Sequence, residues 1–206
     1  MLWRHGQTSW NLEERFQGSS DIELDEVGVA QAERAARLLT TLEPAAIVSS
    51  DLVRAGSTAA ALACLCELDV RHDERLRETY GARWQGRTAT EIDAADHEIY
   101  TSWRAGDDVP AGGGERRTEV AARVVPAIAD ALGEVPPGGT LVVVTHGGSA
   151  RAAIGAMLDL PLDRWAVVGG LANCCWSVLE EVPPAGWRLV EHNAGSLPEP
   201  VMGDDE

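Results

Sequence analysis

Thr140-Leu141-Val142-Val143-Val144-Thr145-His146-Gly147-Gly148 is the stretch from which the fold of this 206-residue chain is read. The apolar run follows the turn sequence Pro136-Pro137-Gly138-Gly139 and has no polar alternation, so it predicts a strand buried on both faces. A helix is expected from Ser149 to Leu158, which leaves His146 and its glycines in the strand-to-helix turn. Working outward, Met1 to Arg4 has the character of a strand end. Ala45-Ala46-Ile47-Val48-Ser49 predicts a second short buried strand, and Asp69-Val70-Arg71 a third. Between them, Asp25 to Leu42 carries Val29, Ala32, Ala36 and Leu39 at helical spacing, with Pro44 as its stop. Leu52 to Leu65 is Ala-rich and helical. Ala89 to Tyr100 and Arg117 to Leu132 also read as helices, separated by the loop Gly112-Gly113-Gly114. A terminal hairpin is expected from Ala172 to Val182 and Trp187 to His192, joined by Pro183-Pro184-Ala185-Gly186. Strands alternating with helices predict an α/β three-layer sandwich, a mostly parallel central sheet with helices on both faces. One domain is expected over residues 1–194, followed by a flexible tail at 195–206.

Composition narrows the function. With 45% hydrophobic and 24% charged residues the chain is an ordinary globular protein, so disordered and fibrous classes are set aside. A formal net charge of −16 with no basic patch argues against nucleic acid and anionic membranes as partners. No apolar run approaches the roughly 20 residues of a membrane span. Met1-Leu2-Trp3-Arg4 lacks the pattern of a secretory signal, so a cytoplasmic protein is expected. Cys64, Cys66, Cys174 and Cys175 match neither a zinc knuckle nor a disulfide framework and are read as reduced thiols in packed elements. A homo-oligomer is compatible with the sequence, through an edge strand or a lid helix.

In such a sheet ligands bind outside the carboxyl ends of the strands. Arg4-His5-Gly6 follows the first strand, Ser49-Ser50-Asp51-Leu52-Val53-Arg54 another, and Thr145-His146-Gly147-Gly148 the Val-rich one. Two guanidiniums and two imidazoles without clustered carboxylates repel a cation, so no metal and no cofactor is expected there. They suit a phosphoryl group, because arginine presents paired donors to phosphate oxygens and fixed positive charge stabilises the transferring group. An imidazole beside them is a candidate nucleophile for a covalent intermediate.

Arg4-His5-Gly6-Gln7-Thr8, Asn11, Gln17-Gly18, Ser50-Asp51-Leu52 with Arg54-Ala55, Leu76-Arg77-Glu78, Trp84-Gln85-Gly86, Gly113-Gly114-Glu115 and His146-Gly147 resemble, in order, the motifs of the histidine phosphatase superfamily. That superfamily includes the cofactor-dependent phosphoglycerate mutases, and the likeness covers nearly the whole chain. The resemblance implies a phosphoglycerate mutase-like fold and a phosphoric monoester hydrolase with His5 as phosphoryl acceptor. It also implies Arg4, Arg54 and His146 around the phosphate and Glu78 as proton donor. Thr8, Asn11, Gln17, Gly18 and Gly147 match positions that line the substrate pocket. Further segments are similar to actinobacterial phosphatases acting on glucosyl-3-phosphoglycerate, among them Glu91-Ile92-Asp93, Ala121-Ala122-Arg123 and Gly169-Gly170 with Asn173 and Trp176. A small phosphorylated metabolite is therefore the expected partner.

Other readings stand beside these. A phosphoglycerate mutase would return the phosphoryl group to a hydroxyl, and an inactive relative would only bind a phosphoester. Glu78 also fits a solvated carboxylate beside Arg75 and Arg77, and Thr8 and Gln17 fit residues that merely hold a loop. His72, His97 and His192 lie outside any motif and read as surface or packing residues, and the seven tryptophans as core or lid packing. The family pattern is displaced at Tyr80-Gly81-Ala82-Arg83-Trp84, where the glycine comes one place early. The loop carrying Glu78 is thereby in question, and Glu115 is the substitute acid.

Overall fold

The structure is a computed structural model and describes residues 1–195. Its strands are β1 (Leu2–Arg4), β2 (Pro44–Ser49), β3 (Val70–His72), β4 (Thr140–Thr145), β5 (Trp176–Val182) and β6 (Gly186–Ala194). Its α-helices are α1 (Ser9–Leu12), α2 (Glu26–Leu39), α3 (Val53–Cys66), α4 (Ala89–Ala105), α5 (Arg117–Leu132) and α6 (Gly147–Met157). The strands form one sheet in the order β3-β2-β4-β1-β5-β6. β1 to β4 are mutually parallel where they pair, and β5 runs antiparallel to both β1 and β6. The mostly parallel α/β sandwich is as expected.

The unbroken apolar character of β4 has a direct use. Leu141 and Val143 pack into a core shared with Val120, Val124 and Ile128 of α5 and Ile154 of α6. Val142 and Val144 pack on the opposite face with Ala32, Ala36 and Leu39 of α2 and Ala59 and Leu62 of α3. β1 and β2 divide in the same way, Leu2 and Val48 to the first core, Trp3 and Ile47 to the second. Each face removes aliphatic surface from water, worth roughly 1.5–3 kcal/mol per fully buried large side chain, and this holds the three short central strands in register.

Several boundaries differ from expectation for local reasons. The helix begun by the Asp25 cap ends at Leu39, passes through a 3-10 turn at Thr40–Leu42 and stops at Glu43 in the left-handed region (φ 45°). Pro44 therefore opens β2 instead of halting the helix, a position where its missing N–H interrupts no ladder. α4 continues to Ala105 through a kink at Asp96, whose carboxylate accepts from Arg83 Nε and Trp84 Nε1. α6 begins at Gly147, two residues earlier than expected. Residues 172–175 are not strand, because Cys174 adopts a left-handed turn (φ 56°) before β5. All four cysteines are free, but Cys64 is exposed and not packed. Beyond residue 195 the expected flexible tail lies outside the described residues.

Residues between β3 and α5 build a lid with its own small core of Trp84, Ile92 and Ala111, against which Phe16, Ile99, Tyr100 and Trp103 pack. Trp84 meets Phe16, Tyr100 and Trp103 edge to face at centroid distances of 5.6–5.9 Å. Phe16 also exchanges backbone hydrogen bonds with this segment, its amide donating to Arg87 and its carbonyl accepting from Gly86. The loop after β1 and the lid are thus one wall. The displaced glycine has a consequence here: a Cβ at Gly81 would lie 2.2 Å from Phe16 Cε1, so Gly81 is needed for close approach. Ala82 takes the left-handed conformation (φ 39°) in its place, at a cost of about 1–2 kcal/mol.

Candidate active site

Because β1, β2 and β4 are parallel, Arg4-His5, Ser49-Ser50 and Thr145-His146 emerge at one edge of the sheet, and all six side chains are buried. His5 and His146 face each other with ring centroids 5.1 Å apart. Arg54, in the first turn of α3 and fully buried, directs Nε at His5 Nε2 at 3.3 Å. Its other nitrogens donate to the Ser20 and Gly18 carbonyls at 2.7 and 2.8 Å. Gly18 serves this arrangement with its backbone, in a left-handed conformation (φ 52°) that aims the carbonyl. Arg4 Nη1 donates to the Leu171 carbonyl.

The histidine loop is held tightly. His5 Nδ1 pairs with the Gly6 carbonyl at 2.7 Å, which leaves Nε2 as the ring atom facing Arg54. The Gly6 amide donates to Thr58 Oγ1 of α3, and the His5 carbonyl accepts from Asn173 Nδ2. A Cβ at Gly6 would lie 2.4 Å from the Gly28 carbonyl oxygen, and one at Gly28 would lie 2.0 Å from the Gln7 carbonyl oxygen. The loop and the first turn of α2 touch backbone to backbone, and only two glycines permit that.

Glu78 stands on the loop after β3, with its carboxylate over the start of α6. Oε2 accepts from the Gly148 amide at 2.9 Å, and Oε1 from the Ser149 and Thr79 amides at 3.0 and 2.7 Å. Gly147, buried, opens that helix directly after His146. Thr8 and Asn11 have a local duty: they form the capping box of α1, and Asn11 Oδ1 also accepts from Asn173 Nδ2. Gln17 is buried with Oε1 lacking a protein partner. Glu115, the substitute acid, has both oxygens occupied by Arg123, and one also by the Tyr80 amide.

A model of the histidine phosphatase superfamily (branch 1) matches residues 1–195. This chain belongs to that superfamily. A glucosyl-3-phosphoglycerate phosphatase of Mycobacterium tuberculosis is 39% identical over 95% of this chain and 94% of its own. Among solved structures, mycobacterial glucosyl-3-phosphoglycerate phosphatase complexed with VO3 superposes with a TM-score of 0.89 at 42% identity, covering 94% of this chain and 98% of that one. Bacillus stearothermophilus YhfR does so with 0.86 at 31% identity, covering 95% and 96%. With phosphatases as relatives over nearly its whole length, this member of the superfamily is a phosphoric monoester hydrolase.

Electrostatics of the phosphatase site follow from burial and the two arginines. Desolvation first, then the charges of Arg54 and Arg4, push the His5 pKa well below its ordinary 6.5, against the Gly6 carbonyl, which raises it. His146 is pushed well down by burial, Arg54 and His5. Arg54 itself is lowered by burial to about 10 and stays cationic at neutral pH. Both imidazoles are therefore neutral in the folded protein.

Stability should show this. Below pH 6.5 the unfolded chain binds protons on both histidines that the folded chain refuses, so folding stability falls as pH falls from 6.5 toward the depressed values. The slope is up to about 1.4 kcal/mol per pH unit for each histidine. Urea midpoints between pH 7 and pH 5 should fall less in a His5→Asn, His146→Gln double variant than in the parent. Equal slopes would mean that the histidines are not held neutral.

Sequence reasoning gave no role to Gly28, Ser50, Thr58 or Arg123. Ser50 Oγ lies 2.9 Å from His146 Nε2 and accepts from the Leu52 amide. Ser50 stood within a quoted motif, but its partner is 96 residues away. Among the described residues no helix is long and apolar enough to cross a membrane, and no three His, Cys, Asp or Glu residues are grouped to hold a metal.

Proposed function

We propose that this protein hydrolyses glucosyl-3-phosphoglycerate, or a closely similar phosphorylated glycerate, through a phosphohistidine on His5. The observation that carries the reading is the neutral His5 Nε2 set against Arg54 Nε, with Nδ1 committed to the Gly6 carbonyl. His5 Nε2 accepts from Arg54 Nε, so its lone pair is aimed at the guanidinium; a phosphoryl oxygen that takes over this N–H frees the lone pair and brings phosphorus up to it.

In the first step the Nε2 lone pair forms the N–P bond as the P–O ester bond breaks, and Glu78 gives its proton to the departing alkoxide. In the second, water attacks phosphorus, Glu78 takes a proton back, and the N–P bond breaks to free His5 and inorganic phosphate. Arg4 and Arg54 balance the charge that accumulates on the phosphoryl oxygens in both steps. Ser50 occupies His146 Nε2, leaving buried and unpartnered Nδ1 for a phosphoryl oxygen. Gln17 Oε1 is a second buried group without a protein partner and suits a substrate hydroxyl. Gly147 opens α6 directly after His146, and its amide suits a phosphoryl oxygen, the next two amides being taken by Glu78. Gly18, Thr8 and Asn11 serve by holding Arg54 and the histidine loop. The names of the mycobacterial relatives support the glucosylated substrate.

The test is phosphate release from glucosyl-3-phosphoglycerate, 3-phosphoglycerate, sugar phosphates and p-nitrophenyl phosphate, each with and without EDTA. Glucosyl-3-phosphoglycerate should give the highest kcat/KM, and chelation should change nothing, since the charge is supplied by arginines. Conversion of 3-phosphoglycerate to its 2-isomer without phosphate release would establish the mutase instead. Loss of activity in EDTA with rescue by a divalent cation would overturn the mechanism.

A further inference from the structure

We infer that Arg123, anchored by Glu115, is a positioning residue for proton transfer: it sets the reach of Glu78 by holding the backbone from which the carboxylate projects. The inference rests on the proposed reading of Glu78 as the acid.

The geometry is unusually complete. Arg123 lies on α5, and its guanidinium uses all five N–H groups. Nε and Nη2 donate to the two carboxylate oxygens of Glu115 at 2.7 and 2.9 Å. Nη1 donates to the Arg75 and Arg77 carbonyls, both at 2.7 Å, and Nη2 also to the Glu78 carbonyl at 3.1 Å. Glu115 closes the ring, accepting from the Tyr80 amide at 2.7 Å and giving its own amide to the Tyr80 carbonyl at 2.8 Å.

The segment from 75 to 80 is thus gripped on one side by a partly buried ion pair. On the other side Thr145 Oγ1 donates to the Leu76 carbonyl and Ser149 Oγ to the Arg77 carbonyl. Thr145 and Ser149 flank His146 in sequence, so the same grip ties the acid to the residue that faces the nucleophile. Between these two holds the backbone under Glu78 is fixed, and from it the carboxylate reaches the Gly148 and Ser149 amides. A planar fork is required, because three convergent carbonyls and a bidentate carboxylate exceed what a lysine ammonium with three donors can serve. With every donor spent on the loop and Glu115, Arg123 has none for a substrate; it acts by holding the loop of Glu78, and its charge reaches His146 only as the last of the causes that lower that imidazole's pKa.

The discriminating measurement is single-turnover formation of phosphohistidine from an alkyl phosphate, glycerol 3-phosphate, and from p-nitrophenyl phosphate. Arg123→Met should slow the alkyl reaction on the order of 10- to 10²-fold, as a misplacement of about 1 Å would. It should slow the p-nitrophenyl reaction several-fold less, with little change in KM. Arg123→Lys should restore part of the loss. In a Glu78→Gln background, Arg123→Met should add nothing to the slowing of the alkyl reaction. Glu115→Gln keeps the volume and weakens only the anchor, so it carries the same test if Arg123→Met does not fold, with a smaller selective loss. If Glu78→Gln discriminates between the leaving groups while the Arg123 and Glu115 variants slow both equally, Arg123 is only a structural brace and the inference fails alone. If Glu78→Gln does not discriminate, the assignment of the acid fails and takes this inference with it.

Discussion

The His5→Ala protein should fold and release no phosphate. The imidazole meets the Gly6 carbonyl, Arg54 and the ring of His146, while the backbone of the loop is held by Thr58, Asn173 and the packing of Gly6 on Gly28. Its removal takes away a nucleophile without releasing the loop, and it also removes a buried group that two neighbouring guanidiniums disfavour whenever it is protonated. Removing a nucleophile that acts as one unit with its surroundings costs on the order of 10⁴- to 10⁶-fold in kcat. Acid-labile, base-stable label from a phosphoester should appear on His5 in the parent and nowhere in the variant. Wild-type turnover in a folded His5→Ala protein would end the phosphohistidine mechanism.

Replacing Glu78 with Gln should separate substrates by their leaving groups. A glycerate or sugar alkoxide is expelled at high cost unless it is protonated, whereas p-nitrophenolate leaves readily as the anion. Formation of phosphohistidine from an alkyl phosphate should fall on the order of 10²- to 10⁴-fold, and from p-nitrophenyl phosphate far less. Loss of turnover should persist for both, since hydrolysis of the intermediate needs the same carboxylate as base. The substitution has a structural side as well. Three backbone amides, those of Thr79, Gly148 and Ser149, donate to the Glu78 oxygens, and the amide of a glutamine can accept at only one atom. A facing donor pair left unsatisfied costs about 1–3 kcal/mol, so the melting temperature belongs beside the kinetics. Equal slowing of the first step for both substrates would remove Glu78 as the acid. Glu115 is not then the replacement, because its oxygens are bound to Arg123 and the Tyr80 amide.

Much of this was legible in one dimension. The pattern of β4 needs burial on both faces, which dictates helices on either side and thus parallel strands whose carboxyl ends share an edge. Any residue that directly follows such a strand is carried to that edge, so Arg4, His5 and His146 were read correctly as neighbours. The helix carrying Arg54 starts one turn beyond the same edge, and its guanidinium falls beside His5 for that reason. Helix ends were less legible. The end of α2 is set by a left-handed residue at Glu43, and the kink in α4 by Asp96 reaching for Arg83 and Trp84, both consequences of packing and not of propensity.

What strand ends and helix starts share is that local pattern places their residues, and the sequence by itself determined those: the sheet, its faces, and the proposed nucleophile with its arginines. The proposed acid and its supports are different. Glu78 lies on a loop with no periodicity, and its position depends on Gly148 and Ser149 some seventy residues onward and on Arg123 in α5. Ser50 meets His146 and Asn173 meets the His5 carbonyl only because strands distant in the chain are adjacent in the sheet. Hydrogen bonds between such segments have no sequence signature, since a donor in one gains its acceptor from chain closure alone. The chemistry at the strand ends is therefore written locally, while the aim of the carboxylate that completes it is decided by tertiary contacts.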